Sequence, residues 1–272
     1  MTAPFQPTPF AEINEIVSAL RTRVEDVLGT HLLGIYIVGS LAVGDFDSTS
    51  SDIDLIVVTD ERLGASRVDA LKTMHEGLAA ELSPWARKLE LVYAPRAALR
   101  VPFKPLVGDV PQLEKGTALF TTPLEAGWVF PCWTLRERGV LVYGPPPDEL
   151  GILTPPEAMA DAVRAVAAQW LDNAEHDPTW LPWLREKGSH AFVVQTLCRL
   201  LYSLTTGEVA SKPHALTWAV RTLPEPWAGF VRQTVEGQSE VLGDEMLRAT
   251  LELIRYTQGA GKRVLEGSAS RL

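Results

Sequence analysis

From Ile35 to Val58 the chain reads IYIVGSLAVGDFDSTSSDIDLIVV. Two apolar, β-branched runs, residues 33–38 and 53–58, bracket a small polar connection, which predicts two strands joined through a short turn-rich segment. The first run ends in Gly39-Ser40. The second opens with Asp52-Ile53-Asp54, thirteen residues after Gly39. Side chains at i and i+2 of a strand share a face, so Asp52 and Asp54 project together, about 7 Å apart at Cα for a rise of about 3.3 Å per residue.

That placement predicts chemistry. Two carboxylates this close, beside apolar strands, repel unless something neutralises them. Mg²⁺ is suited to the task, since it binds carboxylate and phosphate oxygens together. Gly39 permits close backbone approach to a nucleotide. Ser40 offers a hydroxyl, and a helix starting there would aim N–H groups at a phosphate. Ser51 offers another hydroxyl, or caps the start of the second strand. A third carboxylate is expected on a neighbouring strand. In KLELVY (88–93) Glu90 interrupts an apolar stretch and is expected to face the same cleft, unless it is a solvated residue paired with Lys88. Crowded by two acids, it could accept a proton. Glu81, near a helix end before Pro84, is a poorer candidate. The pieces fit metal-assisted attack on a nucleoside triphosphate.

Outward from this core, residues 11–28 carry apolar side chains at helical spacing and Gly29 suits a C-terminal cap. Residues 68–82 read as a helix and 88–93 as a third strand. Leu99 to Glu114, rich in Pro and Gly, reads as a loop. Residues 123–138 read as a helix broken or kinked at Pro131, and 140–143 as extended. GPPPDELGILTPPE (144–157) contains five prolines and marks a boundary near residue 155. Beyond it helical patterns dominate: one from Ala158 to Trp170, one from Phe192 to Leu204 ended by Gly207, one after Pro213, and one over 246–262. The predicted fold is α+β: a mixed sheet flanked by helices in residues 1–155, then an all-α bundle in 156–272.

Composition narrows the function. Hydrophobic residues make up 46% and the net charge is -9. Lys and Arg are scattered, so no nucleic-acid partner is expected. No apolar run reaches the ~18 residues of a membrane span, and Met1 to Phe10 lacks a secretory pattern. Cys132 and Cys198 lie in neither zinc nor redox spacing and read as buried thiols of a cytoplasmic protein. None of the five histidines has metal-ligand spacing. A monomer is expected.

The GS…DxD pattern resembles the DNA-polymerase-β-type nucleotidyltransferase superfamily. The domain order, and the stretch LCRLLYSLTTGEVASKPHALTWAVRTLP (197–224), resemble the aminoglycoside 3''-adenylyltransferases of the streptomycin and spectinomycin type. The resemblance implies transfer of AMP from Mg-ATP to a hydroxyl of a small cationic acceptor, an aminoglycoside above all. It implies metal binding by Asp52 and Asp54, a base in Glu90, and ATP-phosphate contacts from Arg199 and Lys212. It also places Trp180 at the acceptor. The chain departs from the family at two positions: by register from Arg199, acidic acceptor-binding positions fall on Arg185 and Ser189. Nearby acids that could substitute are Asp172, Glu175 and Asp177.

Two other readings stay open: AMP transfer onto a protein, as in nucleotidyltransferase antitoxins, and a non-catalytic nucleotide-binding module. Arg185 and His190 have a loose ribonuclease-like spacing that arises easily by chance. Trp128, Trp133 and Trp170 read as core.

Overall fold

The two apolar runs form the centre of one six-stranded sheet. In the computed structural model, which describes residues 6–80, 83–100, 109–237 and 243–269, the first run is strand β1 (Leu32–Ile37) and the second is β2 (Ile53–Thr59). The other strands are β3 (Leu89–Pro95), β4 (Val110–Leu113), β5 (Phe120–Thr122) and β6 (Val140–Tyr143). The order across the sheet is β5-β4-β3-β2-β1-β6. Among the described strands only β2 and β3 run parallel; β1 pairs antiparallel with β2 and β6, as β4 does with β3 and β5. A parallel pair needs a crossover, and helix α3 (Ala65–Ala79) supplies it.

Strand alternation divides the sheet into two apolar faces. Ile35, Ile37, Ile53, Leu55, Val57, Leu89 and Leu91 pack with helix α1 (Ala11–Leu28) and α3. Tyr36, Val38, Ile56, Val58 and Ala94 face the other way, with Trp128, Cys132 and Leu135 on or beside helix α4 (Val129–Arg138). Asp54 and Glu90 have the parity of the second face, at the ends where the strands begin. Helix α2 (Gly39–Val43) follows β1 and is only five residues long.

The contacts divide the chain into two compact units, Met1–Thr154 and Pro155–Leu272. The second is helical: α5 (Pro156–His176), α6 (Trp180–Leu184), α7 (Lys187–Thr206), α8 (Lys212–Thr222), α9 (Trp227–Glu236) and α10 (Asp244–Ala269). Its core includes Val193, Val194, Leu197, Leu201, Val231, Leu253 and Ile254, all nearly inaccessible to water. No helix among the described residues is long and apolar enough to cross a membrane.

Several expectations are corrected. The presumed loop from Leu99 to Glu114 contains β4, a sheet strand despite Pro111. Pro111 pairs with Thr121 of β5, and β4 is too short to show alternation in the sequence. The helix expected over 123–138 is a 3₁₀ turn, Ala126–Trp128, leading into α4. Pro131 neither breaks nor ends it, because the third helical residue donates no intrahelical bond. The third helix begins at Ala65 rather than residue 68 and ends at Ala79. Glu81 lies outside the described residues. Helix α9 gave too short an apolar pattern to be read.

Candidate active site

Parallel pairing of β2 and β3 sets Asp54 directly beside Glu90 in the ladder. Adjacent strands stand about 4.8 Å apart, so the two carboxyl groups are neighbours on one face. Asp52 lies two residues earlier, just before β2 begins. All three side chains are half-buried. The charges register on Glu90. Burial raises its pKa, Asp54 and then Asp52 raise it further, and Glu114 adds to the effect; a bond from the Lys115 N–H works against them. This is the crowding of Glu90 expected from the spacing of the three acids. Lys88, the alternative partner for Glu90, instead donates to Ser48 O at 3.1 Å and lies over the Trp85 ring.

Gly39 is fastened to the same group. Its φ is +61°, a region that favours glycine. A β-carbon there would come within 1.8 Å of Asp54 Oδ2. The Val38 N–H donates to Asp54 O at 2.9 Å, locking the end of β1 to the start of β2. Ser40 therefore sits on α2, one residue beyond this junction, half-exposed. Ser51 closes the 47–51 turn: its N–H donates to Asp47 O at 2.8 Å, and its Oγ accepts from the Asp47 N–H at 3.0 Å.

Lys115, which follows β4, is a member of the cluster that the sequence pattern does not reveal. Its Nζ lies 2.7 Å from Asp52 Oδ1. The approach is close but poorly aligned, for Oδ1 is shielded from solvent and accepts no well-directed hydrogen bond. Asp52, by contact and by charge, and Glu90, by charge, raise the Lys115 pKa. The available signal was a lone lysine beside Gly116 in EKGT. Only the pairing of β4 with β3 brings it to the carboxylates.

The helical unit brings two predicted cations to one connection. Arg199, on α7, donates from Nε to Ala210 O at 2.9 Å. Lys212 is the first residue of α8, two positions further, and is exposed. Ser211 caps this helix by accepting from the His214 N–H. Trp180 is 7% exposed and belongs to the helical core, with Trp183 6.1 Å away between ring centres. Arg185 is ion-paired with Asp244, whose pKa that contact lowers. Ser189 lies half-exposed in the first turn of α7. Asp172 pairs with His176, Asp177 accepts from the Thr179 N–H and hydroxyl, and Glu175 is exposed. His190 is a buried histidine bonded to Thr250 Oγ1, its pKa lowered to about 4 by burial. The two residues of the ribonuclease-like spacing thus have separate partners, Asp244 for Arg185 and Thr250 for His190.

Residues 13–110 match the nucleotidyltransferase domain family, and residues 153–253 match the aminoglycoside adenylyltransferase C-terminal domain family. The chain is 25% identical to an aminoglycoside (3'') (9) adenylyltransferase from Klebsiella pneumoniae, over 93% of this chain and 95% of that one. It is also 25% identical to a spectinomycin 9-adenylyltransferase from Staphylococcus aureus, over 91% of this chain and 94% of that one. Over nearly its whole length the chain is thus similar to the aminoglycoside and spectinomycin adenylyltransferases. Its fold is that of a spectinomycin adenyltransferase, AAD(9) from Enterococcus faecialis, solved with ATP and spectinomycin: the TM-score is 0.64 at 18% identity, covering 91% of this chain and 98% of that one.

With its nucleotidyltransferase domain and these similar enzymes the chain is a nucleotidyltransferase, and its carboxylates can be tested against a divalent cation. Among the described residues no three His, Cys, Asp or Glu side chains are arranged to hold a metal by themselves. Asp52 Oδ1, a shielded carboxylate oxygen without an aligned donor, is nevertheless the kind of ligand a hard cation takes, with phosphate oxygens completing its shell. The donor set fits an ion that arrives with a phosphate-bearing substrate.

Proposed function

We propose that this protein transfers AMP from Mg-ATP to a hydroxyl of a small cationic acceptor of the aminoglycoside or spectinomycin class, releasing pyrophosphate. The observation that carries this reading is the Asp54–Glu90 pairing, with Asp52 beside it and Gly39 packed onto Asp54. The names of the full-length relatives support the acceptor class.

Asp52 and Asp54 would hold Mg²⁺, which when bound neutralises phosphate charge and activates the α-phosphorus. Glu90 takes the proton of the acceptor hydroxyl as its oxygen bonds to that phosphorus and the bond to the pyrophosphate oxygen breaks. Its raised pKa makes it a stronger base than an ordinary glutamate carboxylate. Gly39, Ser40 and Ser51 contact the phosphates. Arg199 and Lys212 supply positive charge to them, with Arg199 steadied by Ala210 O. The acceptor-side role of Trp180 rests on the family resemblance alone, since the residue is largely covered.

The test is incubation of the protein with ATP, Mg²⁺ and a panel of aminoglycosides including spectinomycin. Drug-dependent pyrophosphate release that disappears in Glu90→Gln supports the reading. Release that needs a partner protein and no drug overturns it.

A further inference from the structure

The turn after β4 sets a cation against the carboxylate cluster, and the proposed reaction gives it no part. Lys115 Nζ stands 2.7 Å from Asp52 Oδ1, with the lysine side chain 46% exposed and that of Asp52 26%. The backbone of the same turn is tied down. The Lys115 N–H bonds the Glu90 carboxyl, and the Gly116 N–H donates to Arg87 O at 3.1 Å. The Thr117 N–H and hydroxyl both donate to Glu114 O, at 3.0 and 2.9 Å. A lysine ammonium rides on a flexible four-carbon stem. Nζ can therefore leave Asp52 while its backbone stays fixed.

An ionised oxygen shielded from water is costly without a partner. Lys115 meets that need by charge, in a partly exposed contact of modest worth. A hard divalent cation would take the same oxygen. The two cannot share it, since positive charges about 4 Å apart repel. We propose that Lys115 is a tethered counter-ion: it neutralises Asp52 while no divalent cation is bound and withdraws when one arrives. This rests on the reading of Asp52 as a metal ligand. The consequence is an order of loading. Displacing Lys115 weakens metal binding to the free protein, so the cation enters most readily when phosphate oxygens bring further ligands. Lys115 is thus a positioning residue for the donor side of the reaction.

The experiment measures Mn²⁺ binding to the full chain without nucleotide, by the electron paramagnetic resonance signal of the free ion, in wild type, Lys115→Met, Lys115→Arg and Asp52→Asn. Circular dichroism checks that each variant folds. The proposal expects Lys115→Met to bind Mn²⁺ about fivefold more tightly, the upper worth of a partly exposed ion pair, with Lys115→Arg like wild type. Equal or weaker binding by Lys115→Met, while Asp52→Asn abolishes binding, overturns the counter-ion role and leaves the metal reading standing. Binding that Asp52→Asn does not change overturns both.

Discussion

Gly39 and Asp54 occupy one another's space: where a side chain would begin at position 39, the Asp54 carboxylate already lies, with Oδ2 1.8 Å from the point a β-carbon would take. The left-handed φ of +61° at Gly39 turns the chain out of β1 and into α2 at this contact. The glycine thus fixes where Asp54 points. Gly39→Ala meets both the steric conflict and the backbone strain. It should lose about 1–3 kcal/mol of stability in urea denaturation, with activity falling more steeply than the folded fraction. Wild-type stability in this variant would contradict the contact.

Glu90 should respond to its neighbours in a fixed order. Asp54 raises its pKa more than Asp52 does. In the metal-free protein, Asp54→Asn should lower the Glu90 pKa more than Asp52→Asn. Carbon-detected NMR titration of the glutamate carboxyl measures both. A larger fall in Asp52→Asn would contradict the geometry.

The same shift predicts a pH dependence of stability. With its pKa above the unfolded value of 4.5, Glu90 holds its proton more tightly in the folded chain. Stability from this group is full at low pH and is lost as pH rises from that value through the raised one. Glu90→Gln removes the effect. In metal-free urea denaturation the variant should therefore gain on wild type between pH 4 and pH 7.5. A difference that does not vary with pH would contradict it.

Much of this site was legible because strand alternation and spacing are local. Asp52, Asp54 and Glu90 each stood out as acids interrupting or opening apolar runs, and residues 33–38 and 53–58 agree with β1 and β2 to within a residue. The parallel register that puts Asp54 beside Glu90 is a long-range fact, supplied by α3 and absent from either strand alone. Lys115 was hidden for a related reason. Its strand, VPQL, is four residues long and holds a proline, so only its pairing with β3 and β5 reveals it. In the helical unit the long amphipathic helices were readable, while α6 and α9, at five and ten residues, were too short to show a period.

Arg199 and Lys212 should separate when tested for nucleotide affinity and stability. Arg199→Ala removes a bond to Ala210 O and should cost about 1 kcal/mol of stability together with about tenfold in ATP affinity. Lys212 is exposed at the start of α8. Lys212→Ala should stay within about 0.5 kcal/mol of wild type and still weaken ATP binding. Calorimetric titration with ATP, paired with denaturation, measures both. Unchanged ATP affinity in both variants would contradict their assignment to the phosphates.

The most direct test is the mass of the acceptor after reaction. Spectinomycin or streptomycin incubated with the protein, ATP and Mg²⁺ should gain the mass of one adenylyl group. Glu90→Gln, still able to bind ATP, should leave the drug unchanged. A drug of unaltered mass with the folded wild-type protein, or an adduct formed equally by Glu90→Gln, would contradict the account.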